Sequence, residues 1–153
     1  MVHRRFLLAS VGLAMLAAAV LAAPPAESDS GGLSVENAWI PQPPPGTGVA
    51  AAYFTLRNDS HAPAVLVAVS SPLAGDTMLH ETTVVGGMSR MRMVARLTVP
   101  PHGSVTLRPD GLHVMLLSLK QALIPGETVP LVLRFASGRE IRVVARVRPI
   151  GRE

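Results

Sequence analysis

The side chains best suited to chemistry in the body of this chain are four histidines, His61, His80, His102 and His113, and five methionines, Met78, Met88, Met91, Met93 and Met115. All five methionines fall between 78 and 115, interleaved with three of the histidines. Methionine is a flexible, unbranched filler of apolar cores, so one alone in a strand says little. A cluster alternating with imidazoles asks for another explanation. There is no cysteine, which removes thiolate ligands, catalytic thiols, disulfides and the sulfur that a blue-copper centre requires.

Parity places several of these groups together. Gly86-Gly87 lies between two apolar runs and suits a two-residue hairpin turn. That turn pairs Val85 with Met88, Thr82 with Met91 and His80 with Met93. Side chains alternate across a strand, so His80, Thr82, Met91 and Met93 share one face, joined by Met78. Glu81, Thr83, Arg90 and Arg92 take the other. Diagonal neighbours about 7–8 Å apart at the backbone are within reach of long side chains, so His80 and Met91 can meet one ion. In His113-Val114-Met115 the same alternation puts His113 and Met115 on one face.

Two imidazoles and two thioethers then select the metal. Thioether sulfur is soft and favours Cu(I), whereas zinc prefers thiolate, imidazole and carboxylate. Calcium and magnesium need clustered oxygens, and the sequence has no acidic loop. A neutral donor set leaves the ion's charge uncompensated, which also favours Cu(I) over Cu(II). His61 and His102 lie in a polar and a Pro-rich turn and read as exposed surface histidines.

The elements that must hold this face are short strands. Candidates run 33–40, 50–57, 64–70, 77–85, 88–98, 103–108, 112–119, 129–135 and 140–147, broken by turn-forming segments such as Pro43-Pro44-Pro45-Gly46, Pro109-Asp110-Gly111 and Ser137-Gly138. Fourteen prolines and thirteen glycines leave little room for long helices. The expected fold is all-β, a sandwich or Greek-key barrel of eight or nine strands in a single domain, 33–148. A flexible linker is expected at 24–32 and a short polar tail at 149–153.

Residues 1–23 combine Arg4-Arg5 with an apolar run and a small-residue end, the pattern of a secretory signal peptide. An uncleaved membrane anchor is the alternative, and Arg4-Arg5 also permits twin-arginine export. With no cysteine after the run, a Cys-linked lipid anchor is not expected. The destination is the periplasm. Without Arg4 and Arg5 the 14 basic residues become 12 against 10 acidic, a small excess. Arginines occur singly along the strands, and one Trp, one Tyr and three Phe give few stacking platforms, so nucleic-acid binding is not expected.

The spacing His80, ten residues, Met91, twenty-one residues, His113, one residue, Met115 resembles the PCu(A)C family of periplasmic copper chaperones. Flanking text agrees: Ala38-Trp39, Ala51-Ala52-Tyr53-Phe54, Leu79-His80-Glu81-Thr82, Met91-Arg92-Met93, Leu112-His113-Val114-Met115-Leu116 and Gly126-Glu127-Thr128-Val129-Pro130-Leu131. The likeness covers about 33–147. It implies a cupredoxin-like β-sandwich holding one Cu(I) near its surface through His80, Met91, His113 and Met115. It also implies delivery of copper to the CuA centre of cytochrome c oxidase subunit II, alone or with a Sco-type partner. A monomer is expected, meeting the membrane only through that partner or an uncleaved anchor.

Met93 stands where proline is common in that family and is an auxiliary sulfur candidate. Met78 and Met88 are second to the four, as outer neighbours or core. Glu81 is a candidate hydrogen-bond partner for a ligand histidine, although hairpin parity points it away. The chain ends without the His/Met-rich tail many members carry, so a Cu(II) tail site is not expected. Copper sequestration and a metal-free adhesion or scaffold sandwich are the competing functions. No nucleophile–His–carboxylate set and no phosphate loop is evident, so an enzyme is not expected.

Overall fold

A computed structural model describes residues 32–151; the expected signal peptide lies outside them. The strands are β1 (Leu33–Pro41), β2 (Val49–Asn58), β3 (Ala64–Ser70), β4 (Ala74–Val85), β5 (Met88–Met93), β6 (Leu97–Val99), β7 (Gly103–Thr106), β8 (Leu112–Leu119), β9 (Thr128–Phe135) and β10 (Glu140–Arg148). They connect in the order β5-β4-β8-β2-β1-β10-β9-β3-β6, with β7 also on β2. All pairings are antiparallel except β1 with β10.

Alternation builds the core. Ala52, Phe54 and Leu56 of β2 face inward at 1% exposure or less, as do Val114 and Leu116 of β8 and Val129, Leu131 and Leu133 of β9. Each large aliphatic buried in this way contributes about 1.5–3 kcal/mol. The strand β2 is the hinge of the architecture. Its first residues, Val49–Ala52, pair with β8, while Thr55–Asn58 pair with β7. One face of the β4–β8–β2 region therefore covers the core, and the other looks outward.

The all-β, cupredoxin-like expectation holds, with ten strands in place of eight or nine. The segment expected as one strand over 88–98 is two. Val94 still donates its N–H to Leu79 O at 2.8 Å, after which the chain leaves β4 and β6 pairs with β3. Burial explains the break: β5 is exposed along its length, whereas Leu97 and Val99 are in the core. A straight continuation would strand those two side chains in water. β4 also starts at Ala74, three residues before the expected 77.

Candidate metal centre

The β4–β5 hairpin turns on Gly86 and Gly87, with φ of 59° and 76°. Two consecutive left-handed residues are what a type I′ turn needs, and glycine adopts them without a Cβ clash. The register follows: Val85 opposite Met88, Thr82 opposite Met91 and His80 opposite Met93. On its other side β4 pairs with β8, setting His80 directly against His113 and Met78 against Met115. Met93, His80 and His113 thus form one row across three strands, spaced roughly 4.8 Å per strand. Met78 and Met115 lie one step along this face, Thr82 and Met91 one step the other way. His80, Met91, His113 and Met115 all sit on the side opposite the core-facing Val114 and Leu116.

The two histidines differ in environment. His113 is only 5% exposed, its ring 5.9 Å from that of His80 and 6.4 Å from that of Tyr53. Its Nδ1–H donates to Gly111 O at 2.9 Å. A carbonyl can only accept, so this bond sets the tautomer and leaves Nε2 with its lone pair free for a ligand. The same Gly111 oxygen accepts the Thr82 N–H at 3.0 Å, so both its lone pairs are engaged.

His80, partly buried and edge-on to His113 at 88°, has an enclosed Nδ1 with no hydrogen-bond partner. An unpaired buried nitrogen costs stability and asks for an explanation. Among the described residues no group of three or more His, Cys, Asp or Glu could hold a metal. Beyond the two histidines, the soft donor that this face offers an ion is sulfur. The thioethers are placed to supply it: Met78 and Met115 half-buried, Met91 and Met93 exposed at 56% and 66%.

One part of the face was not anticipated. In β1 the register slips between Glu36, opposite Thr55, and Trp39, opposite Tyr53, with Asn37 left-handed at φ 52°. Without this bulge Trp39 would fall opposite Ala52 and point to the core. The extra residue re-aims it to the outer face. Its ring lies 4.9 Å from Tyr53, with the Arg148 guanidinium 5.0 Å above it. A ladder of rings therefore runs from Trp39 through Tyr53 and His113 to His80. Burial, with a smaller contribution from the charge of Asp110, pushes the Tyr53 hydroxyl above its ordinary pKa of 10.0. Asparagine inside a strand, a residue tolerant of positive φ, was the available signal.

Two side chains fall elsewhere. Glu81 is not brought to the histidines: it faces away and accepts from Arg92 Nε at 2.9 Å, satisfying the hairpin's opposite face. Met88, 61% exposed, is on that same opposite face by alternation.

A cupredoxin-like sandwich with paired imidazoles and several thioethers on one outer face, and no thiolate, is a recognisable class of protein. The LpqE-like lipoprotein family model matches residues 33–147, and the chain belongs to that family. A relative from Leifsonia xyli subsp. xyli that carries a lipoprotein name, Lxx21020, is 30% identical over 118 residues, 76% of this chain and 70% of that protein. Apo-DR1885 from Deinococcus radiodurans is 39% identical, covering 96% of this chain and 97% of its own, with a TM-score of 0.64; its CuI form is 45% identical over 74% and 76%, with a TM-score of 0.61. The apo PCuAC domain of PmoF1 is 28% identical over 78% and 95%, with a TM-score of 0.67. The resemblance to the PCu(A)C family read from the sequence agrees with these matches.

Proposed function

We propose that this protein is an exported Cu(I)-binding metallochaperone with His80, Met91, His113 and Met115 as its ligands. The observation that carries this reading is the opposed histidine pair. His113 is held in the tautomer that frees Nε2, and His80 has a buried nitrogen with unmet bonding capacity, with thioethers on both flanks. The match to DR1885, solved with CuI, supports it. The ion is cargo here, and no chemical step on it is required.

Shallow placement suits transfer. His113 anchors the ion from the sheet, while exposed Met91 leaves an open side from which an acceptor's ligands replace the protein's one at a time. Delivery to the CuA centre of cytochrome c oxidase subunit II is the destination proposed, with a Sco-type protein as intermediary. The lipoprotein names of the relatives favour export. This sequence contains no cysteine, so lipid attachment through one is not proposed.

An anaerobic Cu(I) titration against a chromogenic competitor tests the site. Wild type should take one Cu(I) per chain, and Met115→Leu should bind about tenfold more weakly, or about 1.4 kcal/mol. Equal affinity would remove Met115 from the ligand set. Copper passing from the loaded protein to an apo CuA fragment tests delivery; retention of the ion would favour sequestration.

A further inference from the structure

The two histidines outside the metal face are also brought together. His61, in the loop between β2 and β3, and His102, in the turn between β6 and β7, are both exposed. His61 Nδ1 lies 2.9 Å from His102 Nε2, and the ring centroids are 4.5 Å apart with planes at 79°. The loops beneath them are tightly built. His102 N–H donates to Ser60 O at 3.2 Å. The fully buried Asn58 side chain donates to Ala62 O at 2.8 Å and Val99 O at 3.3 Å, and accepts from Ser60 N–H at 3.1 Å and Ser60 Oγ at 2.7 Å. One amide thus ties the backbone on both sides of His61 to the strand that leads into His102. His102 itself is left-handed at φ 50°, a conformation that glycine or asparagine more often fills.

We propose that His61 and His102 form a second metal site, for a divalent ion with Cu(II) as the preferred occupant. The donor chemistry here differs from that of the β4–β8 face. Every described methionine lies on β4, β5 or β8, so no thioether is supplied and the preference for Cu(I) disappears. Imidazole alone suits borderline divalent ions, and Cu(II) heads the affinity order among them.

The spacing points the same way. With metal–nitrogen bonds of about 2.0–2.1 Å, nitrogens 2.9 Å apart subtend about 90° at the ion, the cis angle of a square-planar site. A tetrahedral ion would need them about 3.3 Å apart. Binding requires a small outward rotation of both exposed rings. It also requires the ring that donates the N–H···N bond to change tautomer, releasing the bridging proton while its other nitrogen takes one up. Water fills the remaining positions. Asp59 is already engaged by Arg57 Nε at 2.9 Å and is not a ligand in this scheme.

The two centres are separate. Tyr53 touches His113, whereas Asn58 sits five residues further along β2, about 17 Å at strand rise. The experiment is an aerobic Cu(II) titration of the full chain, read by EPR and by paramagnetic broadening of amide NMR signals. Wild type, His61→Gln and His102→Asn are compared, asparagine being chosen to tolerate the left-handed backbone. Wild type should show two equatorial nitrogens and broadening at the amides of 58–62 and 102–104. Each variant should bind about 100-fold more weakly, the lower range of what a second tethered ligand contributes, with an unchanged thermal melt because both rings are exposed. Unaltered affinity in both variants, or broadening confined to the surroundings of His80 and His113, would overturn the proposal.

Discussion

β8 and β5 contribute to the same outer face under opposite constraints. β8 is hydrogen-bonded on both sides, to β4 and β2, and its His113 is buried with its tautomer set by Gly111. β5 is the edge strand of its sheet, exposed at every position, and held through a single neighbour and a Gly-Gly turn. The sandwich thus supplies a buried imidazole and the half-buried Met115 from its centre, and the exposed thioethers Met91 and Met93 from its rim. In the proposed copper site this division would assign affinity to the centre and exchange to the edge.

The sharpest way to break that comparison is to exchange the two kinds of ligand loss. His113→Gln should weaken Cu(I) binding about 1,000-fold, within the range expected for a tethered ligand, and also destabilise the metal-free protein by about 2 kcal/mol, since a buried hydrogen bond to Gly111 is disturbed. Met91→Leu should cost roughly tenfold in affinity, about 1.4 kcal/mol, and leave the denaturation midpoint unchanged. Competitor titration and urea melts measure both. If Met91→Leu proves the worse for binding, the affinity does not reside in the centre.

A smaller effect should come from the turn. Gly87→Ala forces a Cβ into φ 76° and should cost about 1 kcal/mol in stability. Faster copper transfer, measured by stopped flow, is expected because the rim is loosened while His113 is untouched.

The smallest effect concerns Tyr53. Its folded-state pKa is raised above 10.0 by burial and then by Asp110. The native state therefore keeps a proton that the unfolded chain loses first, so stability is intact below pH 10 and falls as pH rises through the folded pKa. This tyrosine is the only one in the chain, so absorbance of the phenolate in metal-free protein titrates it alone. Tyr53→Phe should flatten the alkaline decline of the melt; an unchanged decline would assign it elsewhere.

Much of the face was legible in the sequence because its determinants are local. Gly86-Gly87 dictates a turn type, the turn dictates register, and parity then groups His80, Thr82, Met91 and Met93. Likewise His113 and Met115 follow from alternation alone. The direct opposition of His80 and His113 was not legible, because β4 and β8 lie far apart in the chain and their pairing depends on the whole sheet order. The break after Met93 was missed for a related reason: 88–98 reads as one strand by propensity, and only the competing demand to bury Leu97 and Val99 divides it. Trp39 was hidden by a single bulged residue that reverses parity. His61 and His102 read correctly as exposed, but their meeting depends on the buried Asn58, whose long-range bonds leave no periodic trace.

The Gly111 carbonyl, with its two accepted hydrogen bonds, carries a consequence for measurement. Because Thr82 N–H and His113 Nδ1–H share that one oxygen, a change in either bond alters the acceptor that the other meets, which links the backbone of β4 to the orientation of the ring. Amide hydrogen exchange at Thr82 would then report on the imidazole without touching it. Slower exchange when the ring is loaded is the expected signature of a strand and a side chain that share one acceptor.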